Sequence, residues 1–213
     1  MERVTEHLYR SAPERPFGNE VETCAYLLRR DDGNLLMYGS SELRRDEAQL
    51  RDLGGIERQY LNHRDEAAAG CDWVARTFEA PLHCHEQERE AVAARCTVHH
   101  TFDRAHQAYP DLEAIPTPGH CPGSTCYLWQ APDRRYLFTG DTVYLANGEW
   151  RVYVSRDTAE EMIASLERIA ALDFEVLVPG LFIGNAKHMA TTAAETKRRV
   201  GEIIARLRQG EIH

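Results

Sequence analysis

The stretch Thr117-Pro118-Gly119-His120-Cys121-Pro122-Gly123-Ser124, followed by the apolar run Tyr136-Leu137-Phe138 that ends in Thr139-Gly140-Asp141, most constrains this chain. Each segment carries a potential metal ligand, a histidine or a carboxylate. Each also carries glycines that let an extended backbone turn sharply where it ends. Upstream, Gln59-Tyr60-Leu61 runs into Asn62-His63-Arg64-Asp65 and adds further ligand candidates. In His63-x-Asp65 the two side chains fall on one side of an extended backbone, so they can converge on one ion.

The chain has 213 residues and 43% hydrophobic content, enough to bury a substantial core, and its length suits a single domain over 1–213. A net charge of −9, with arginines scattered among acids, argues against nucleic acid as a partner, because a phosphate backbone calls for clustered positive charge. The N-terminal segment has no apolar signal core and no stretch is long enough to span a bilayer, so a cytoplasmic, membrane-free protein is expected. Cys24, Cys71, Cys84, Cys96, Cys121 and Cys126 form no CxxC pair, which supports free thiols over a disulfide framework or zinc finger.

Short apolar runs alternate with helical patterns, the signature of a layered α/β protein. Strands are predicted at 21–28, 34–38, 58–61, 80–83, 97–101, 112–115, 125–130, 136–139, 151–155 and 175–178. The turn-rich Arg30-Asp31-Asp32-Gly33 suggests an early hairpin. Helices are predicted at 41–53 with Ser41 as cap, at 66–78, at 86–96, and at 158–171 with Asp157 and Glu160 as a capping box. A last amphipathic helix carries Val200, Ile203, Ile204 and Leu207, with His188 on it. His63, Asp65, His120 and Asp141 then all fall in loops after strands, where open α/β sheets bind ligands.

Pro118-Gly119-His120-Cys121-Pro122-Gly123-Ser124 and Phe138-Thr139-Gly140-Asp141, in that order and at that separation, resemble the metallo-β-lactamase-fold superfamily, which includes glyoxalase II, ribonuclease Z and the persulfide dioxygenases. The resemblance runs from Ala25 to Gly180 and implies a four-layer αβ/βα sandwich with a metal cleft along one edge. Asn62-His63-Arg64-Asp65-Glu66-Ala67-Ala68 occupies the place of the family's His-x-His-x-Asp-His motif. Its first histidine is kept as His63, its second appears as Asp65, and its Asp-His pair has become Ala67-Ala68. The family's third histidine matches His120, its bridging aspartate matches Asp141, and a final histidine is replaced by Leu181.

The resemblance places all three losses at the second ion and leaves His63, Asp65, His120 and Asp141 for one divalent cation, zinc first and iron as the alternative. With zinc, the expectation is hydrolysis of a small ester, thioester or amide, with Asp65 or Asp141 as general base. With iron, His63, His120 and Asp141 match the two-histidine, one-carboxylate set of the persulfide dioxygenase branch. A noncatalytic or metal-free binding protein is the third reading, since three lost ligands are what loss of function looks like.

Blander roles stay open. Asp65 is a potential cap for the helix at 66, and Asp141 a potential cap for the turn after Gly140. His83-Cys84-His85 offers at most two cooperating imidazoles and reads as structural; Cys121 reads as a buried inert thiol. His99, His100, His106 and His188 default to the surface. Tyr144, Trp150 and Arg151 form either an aromatic and cationic rim for a small anionic substrate or ordinary core and surface.

Overall fold

The structure, a computed structural model, describes residues 1–18 and 20–211. These fall into two compact units, 1–103 and 104–213.

The first unit holds β1 (Glu2–Arg3), β2 (Leu8–Arg10), β3 (Val21–Thr23), β4 (Tyr26–Leu28), β5 (Leu35–Met37), α1 (Glu47–Asp52), β6 (Arg58–Tyr60), α2 (Ala69–Phe78), β7 (Leu82–His85), α3 (Arg89–Ala93) and β8 (His100–Phe102). Among the described residues its main sheet has the order β1-β2-β4-β5-β6-β7-β8. The hairpin expected around 30–33 is present as β4 and β5, paired from Tyr26↔Met37 to Leu28↔Leu35, with Gly33 at a positive φ of 93°. From β5 onward the strands are parallel, and parallel neighbours need a crossover, which α1, α2 and α3 supply in turn. Tyr9, Leu27, Leu36, Leu43, Leu50 and Val74 form the core between strands and helices.

The second unit holds β9 (His106–Tyr109), β10 (Leu112–Pro116), β11 (Thr125–Gln130), β12 (Arg135–Gly140), β13 (Tyr144–Ala146), β14 (Glu149–Arg151), α4 (Ala159–Ala171), β15 (Val176–Pro179), β16 (Leu181–Ile183), β17 (Met189–Ala190) and α5 (Ala193–Arg208). Strands β9 to β12 make an antiparallel meander, and α4 carries the chain from β12 to its parallel neighbour β15. Because β10 and β12 are each antiparallel to β11, they run the same way, so the loops after them open at the same sheet edge. Those loops carry His120 and Asp141. Helix α4 buries Met162, Ile163, Leu166 and Ile169, and α5 buries Val200, Ile203, Ile204 and Leu207.

Several sequence expectations need correction. The predicted strand 21–28 breaks at Cys24-Ala25 into β3 and β4, and the predicted strand 151–155 is instead the end of β14 followed by irregular chain. The predicted helices at 41–53 and 86–96 open as 3-10 turns (Glu42–Asp46, Glu86–Glu88) before shorter α-helices, and the one predicted at 66–78 starts only at Ala69, after the 3-10 turn Arg64–Glu66 and extended Ala67 and Ala68. Ser41 makes no cap because its hydroxyl donates to Glu14 Oε1 at 2.6 Å. The Asp157/Glu160 capping box does not form; Thr158 sits at the helix N-terminus and its hydroxyl donates to the Gly119 carbonyl at 2.7 Å. His188 precedes β17 rather than lying on the last helix, which starts at Ala193 with Thr192 accepting from the Glu195 amide. No helix among the described residues is long and apolar enough to cross a membrane.

Candidate metal centre

In the second unit the His120 loop is held by backbone. Thr117 N donates to Ser124 O at 2.7 Å and Cys121 N to Ser124 Oγ at 3.0 Å, closing the loop on itself. From α4, Ser165 Oγ donates to Pro118 O at 2.7 Å, Thr158 Oγ1 to Gly119 O, and the Arg168 guanidinium to Pro116 O. Gly119, at φ +135°, lies so close to α4 that a Cβ would stand 2.7 Å from Met162 Cα. No side chain fits there, which is the physical reason for glycine beside His120.

His120 is one-tenth exposed, and its Nδ1 lies 3.0 Å from the carbonyl oxygen of Tyr153. A carbonyl can only accept, so Nδ1 carries the proton and Nε2 keeps its lone pair. That nitrogen is 3.9 Å from Asp141 Oδ2. The gap is too long for a hydrogen bond, yet two atoms each about 2.1 Å from one ion can stand up to about 4.2 Å apart. Thr117 Oγ1 and Thr142 Oγ1, buried and 3.2 Å apart, tie the base of the His120 loop to the residue after Asp141.

The first unit repeats the pattern with different supports. His63 is 1% exposed, with Nδ1 3.3 Å from Glu66 Oε1 and Nε2 3.8 Å from Asp65 Oδ2. One imidazole nitrogen thus faces the Glu66 carboxylate and the other faces Asp65. Glu66 Oε2 also accepts from the Asn62 amide at 2.7 Å. Arg64 anchors the turn: its backbone N and its guanidinium both bind the fully buried carboxylate of Glu88, at 2.6 to 2.9 Å. Asp65 is inside the 3-10 turn and its side chain is 42% exposed, so it does not cap α2, which starts at Ala69.

Both pairs therefore offer imidazole nitrogen and carboxylate oxygen, a donor set suited to zinc or ferrous iron. Of the positions where the resemblance expects further ligands, Ala67 packs among Leu61, Cys71, Leu82 and Val92. Leu181 is half-buried just past Gly180, whose amide binds the Gly140 carbonyl. Two groups escaped the sequence. Glu66 stands three residues after His63, a spacing that brings side chains together on a helical turn, and reading that turn would have found it. The Tyr153 carbonyl left no signal, since every residue has one.

The remaining candidates sort themselves. His83 stacks on Tyr60 and His100, with ring centroids 4.9 and 4.8 Å away, and His85 Nδ1 accepts from the Gln87 amide; burial pushes the Cys84 thiol up to about 12. All six cysteines are free, but Cys121 is half-buried, not the buried thiol expected. Trp150 is core, 3% exposed and stacked on Phe174. Tyr144 and Arg151 remain half-buried and paired across β13 and β14. Burial raises the Tyr144 pKa, the Arg151 charge opposes this, and the Asp141 charge adds to it.

A model described as the metallo-β-lactamase superfamily matches residues 103–181, which include His120 and Asp141 but not His63. No curated protein sequence matches the chain. Among solved structures, a metallo-β-lactamase from Pontibacter korlensis is 13% identical, with 97% of each chain covered and a TM-score of 0.71. ETHE1 from Myxococcus xanthus is 20% identical over 95% of this chain and 88% of its own, with a TM-score of 0.66. A B3 metallo-β-lactamase with an active-site glutamic acid is 17% identical over 92% of this chain and 91% of its own, with a TM-score of 0.62. The chain therefore has the metallo-β-lactamase fold, and residues 103–181 are similar to the metallo-β-lactamase superfamily model.

Proposed function

We propose that this protein is a hydrolase in which His63, Asp65, His120 and Asp141 serve one divalent cation, zinc before iron, and act on a small ester, thioester or amide. The proposal treats the two units as halves of a single domain. The observation that carries it is His120, whose Nδ1 is committed to the Tyr153 carbonyl while Nε2 stands 3.9 Å from Asp141 Oδ2. Bound zinc would supply Lewis-acid polarisation of a carbonyl and of water.

The chain's own residues do the rest. The Tyr153 carbonyl holds the His120 imidazole with Nε2 unprotonated, and the Glu66 carboxylate, 3.3 Å from His63 Nδ1, favours the same arrangement there. Whichever of Asp65 and Asp141 does not ligate accepts the proton of the attacking water on its free carboxylate oxygen, then returns it to the leaving group. Arg151, next to Tyr144 and Asp141, supplies a cation for an anionic substrate.

Elemental analysis of the purified protein tests this, beside His63→Ala and His120→Ala variants whose folding is checked by circular dichroism. About one zinc per chain, lost in both variants together with thioester hydrolysis, is the expected result. Iron with thiol-dependent oxygen uptake would replace the hydrolase with a dioxygenase. No metal after reconstitution would leave a noncatalytic binding protein.

A further inference from the structure

The first unit contains a second reactive cluster. Cys71, in the first turn of α2, and Cys96, just past α3, share an apolar pocket with Leu61, Ala67, Leu82, Cys84 and Val92. The two thiols are near enough to shift each other's pKa, up at Cys71 and down at Cys96, and Cys96 Sγ donates to Val92 O at 3.8 Å. Their neighbours are fastened as well, because Thr97 N donates to Asp72 Oδ1 at 2.8 Å. Two sulfurs are too few to hold zinc, which takes three or four protein ligands. Two adjacent thiols, however, are what a disulfide needs.

We propose that Cys71 and Cys96 form an oxidation site, at which a hydroperoxide converts the two thiols into one intramolecular disulfide. Cys96 attacks. Its residue keeps 6% exposure against 1% for Cys71, and it is flanked by exposed Arg95 and Thr97. The neighbouring Cys71 thiol also stabilises its thiolate and lowers its pKa. The Cys96 sulfur takes the terminal peroxide oxygen, the O–O bond breaks, and the alkoxide leaves as the alcohol with the thiol's proton. The Cys71 sulfur then displaces the hydroxyl from the Cys96 sulfenic acid. That hydroxyl leaves as water with the Cys71 proton, so two thiols give two electrons to one peroxide. Cys84, third in the pocket, stays out because Cys71 and Cys96 act chiefly on each other, whereas the Cys84 thiol is set by its own burial and by Glu88.

The bond also reaches the ligand turn, since Arg95, next to Cys96, stands 3.8 Å from Asp65. That consequence rests on the proposed metal role of Asp65; the dithiol does not. Trypsin separates the three cysteines into peptides 65–76, 77–89 and 96–104. The full-length protein, treated with hydrogen peroxide, alkylated and digested, is expected to yield 65–76 joined to 96–104 from a monomeric band. The two free peptides disappear and return with dithiothreitol. In Cys71→Ser, dimedone is expected to label Cys96 as sulfenic acid. A bond to 77–89, disulfides only between chains, or no linkage overturns the proposal. The map of the unaltered protein decides it even where the variant does not fold.

Discussion

The two turns that carry His63 and His120 are held by different physics. The His120 loop is pinned through its backbone: α4 donates to three consecutive stretches of it, and Gly119 packs against Met162 with no room for a side chain. The His63 turn is pinned by charge, through the Arg64–Glu88 ion pair behind it. Backbone pinning depends on geometry and demands particular small residues, so it leaves a durable sequence pattern. Charge pinning can be rebuilt from many side chains. The family match accordingly covers the first kind of turn and stops short of the second.

The strongest way to break the comparison is Gly119→Ala. The new methyl must enter at φ +135° and within 2.8 Å of Met162 N, so both the loop and α4 have to shift. Overpacking and backbone strain together are expected to cost about 3 kcal/mol or more, read as a lowered urea midpoint. A loss under half of that would mean the loop is not held as tightly as described.

Next comes Glu88→Ala, which removes the acceptor for three Arg64 groups. A fully buried ion pair loses about 3–5 kcal/mol when one partner goes, but Arg64 is one-third exposed and can turn to water, so about 2 kcal/mol is expected. The same urea titration measures it. Metal retention should fall with it, because the loss frees the turn that carries Asp65 and Glu66.

Sequence reasoning read the two turns unequally for the same reason. Strands β10 to β12 and helices α4 and α5 were legible because their apolar residues recur at strand and helix periods, and His120 and Asp141 were marked by adjacent glycines. The helices of the first unit were overextended because a 3-10 turn and an α-turn share residue preferences, and periodicity does not separate them over five residues. Arg64 and Glu88 are 24 positions apart in the chain, and nothing in either neighbourhood announces the partner. The capping residues were misassigned because Glu14 took the Ser41 hydroxyl and because Asp157 lies inside a 3-10 turn, Arg156–Thr158, that leads into α4.

A smaller effect sharpens the contrast at the imidazoles. Glu66→Gln keeps the shape but removes the charge facing His63 Nδ1, and zinc affinity is expected to drop about tenfold, or about 1.4 kcal/mol. Tyr153→Ala keeps the carbonyl that His120 uses and removes a ring that is 69% exposed and meets the His120 imidazole only edge-on, centroids 5.9 Å apart, so affinity should stay within about twofold. Competition with a chromogenic chelator reads both. Equal losses in the two variants would sink the distinction between charge and backbone support.

Finest of all is Ser165→Ala, which takes away one neutral donor to the Pro118 carbonyl and should cost about 1 kcal/mol. Its value lies in combination with Thr158→Ala, which strips the adjacent Gly119 carbonyl. If α4 holds the loop as one rigid body, Met162 against Gly119 and Arg168 on Pro116 keep it in place after either loss. The two changes should then add to within about 0.5 kcal/mol. If the first loss lets the loop lift away, the second donor has nothing left to hold and costs little, and zinc affinity falls already in the single variant. Urea titration of the two singles and the double separates these outcomes, and only additivity is compatible with a His120 loop that α4 holds as one rigid body.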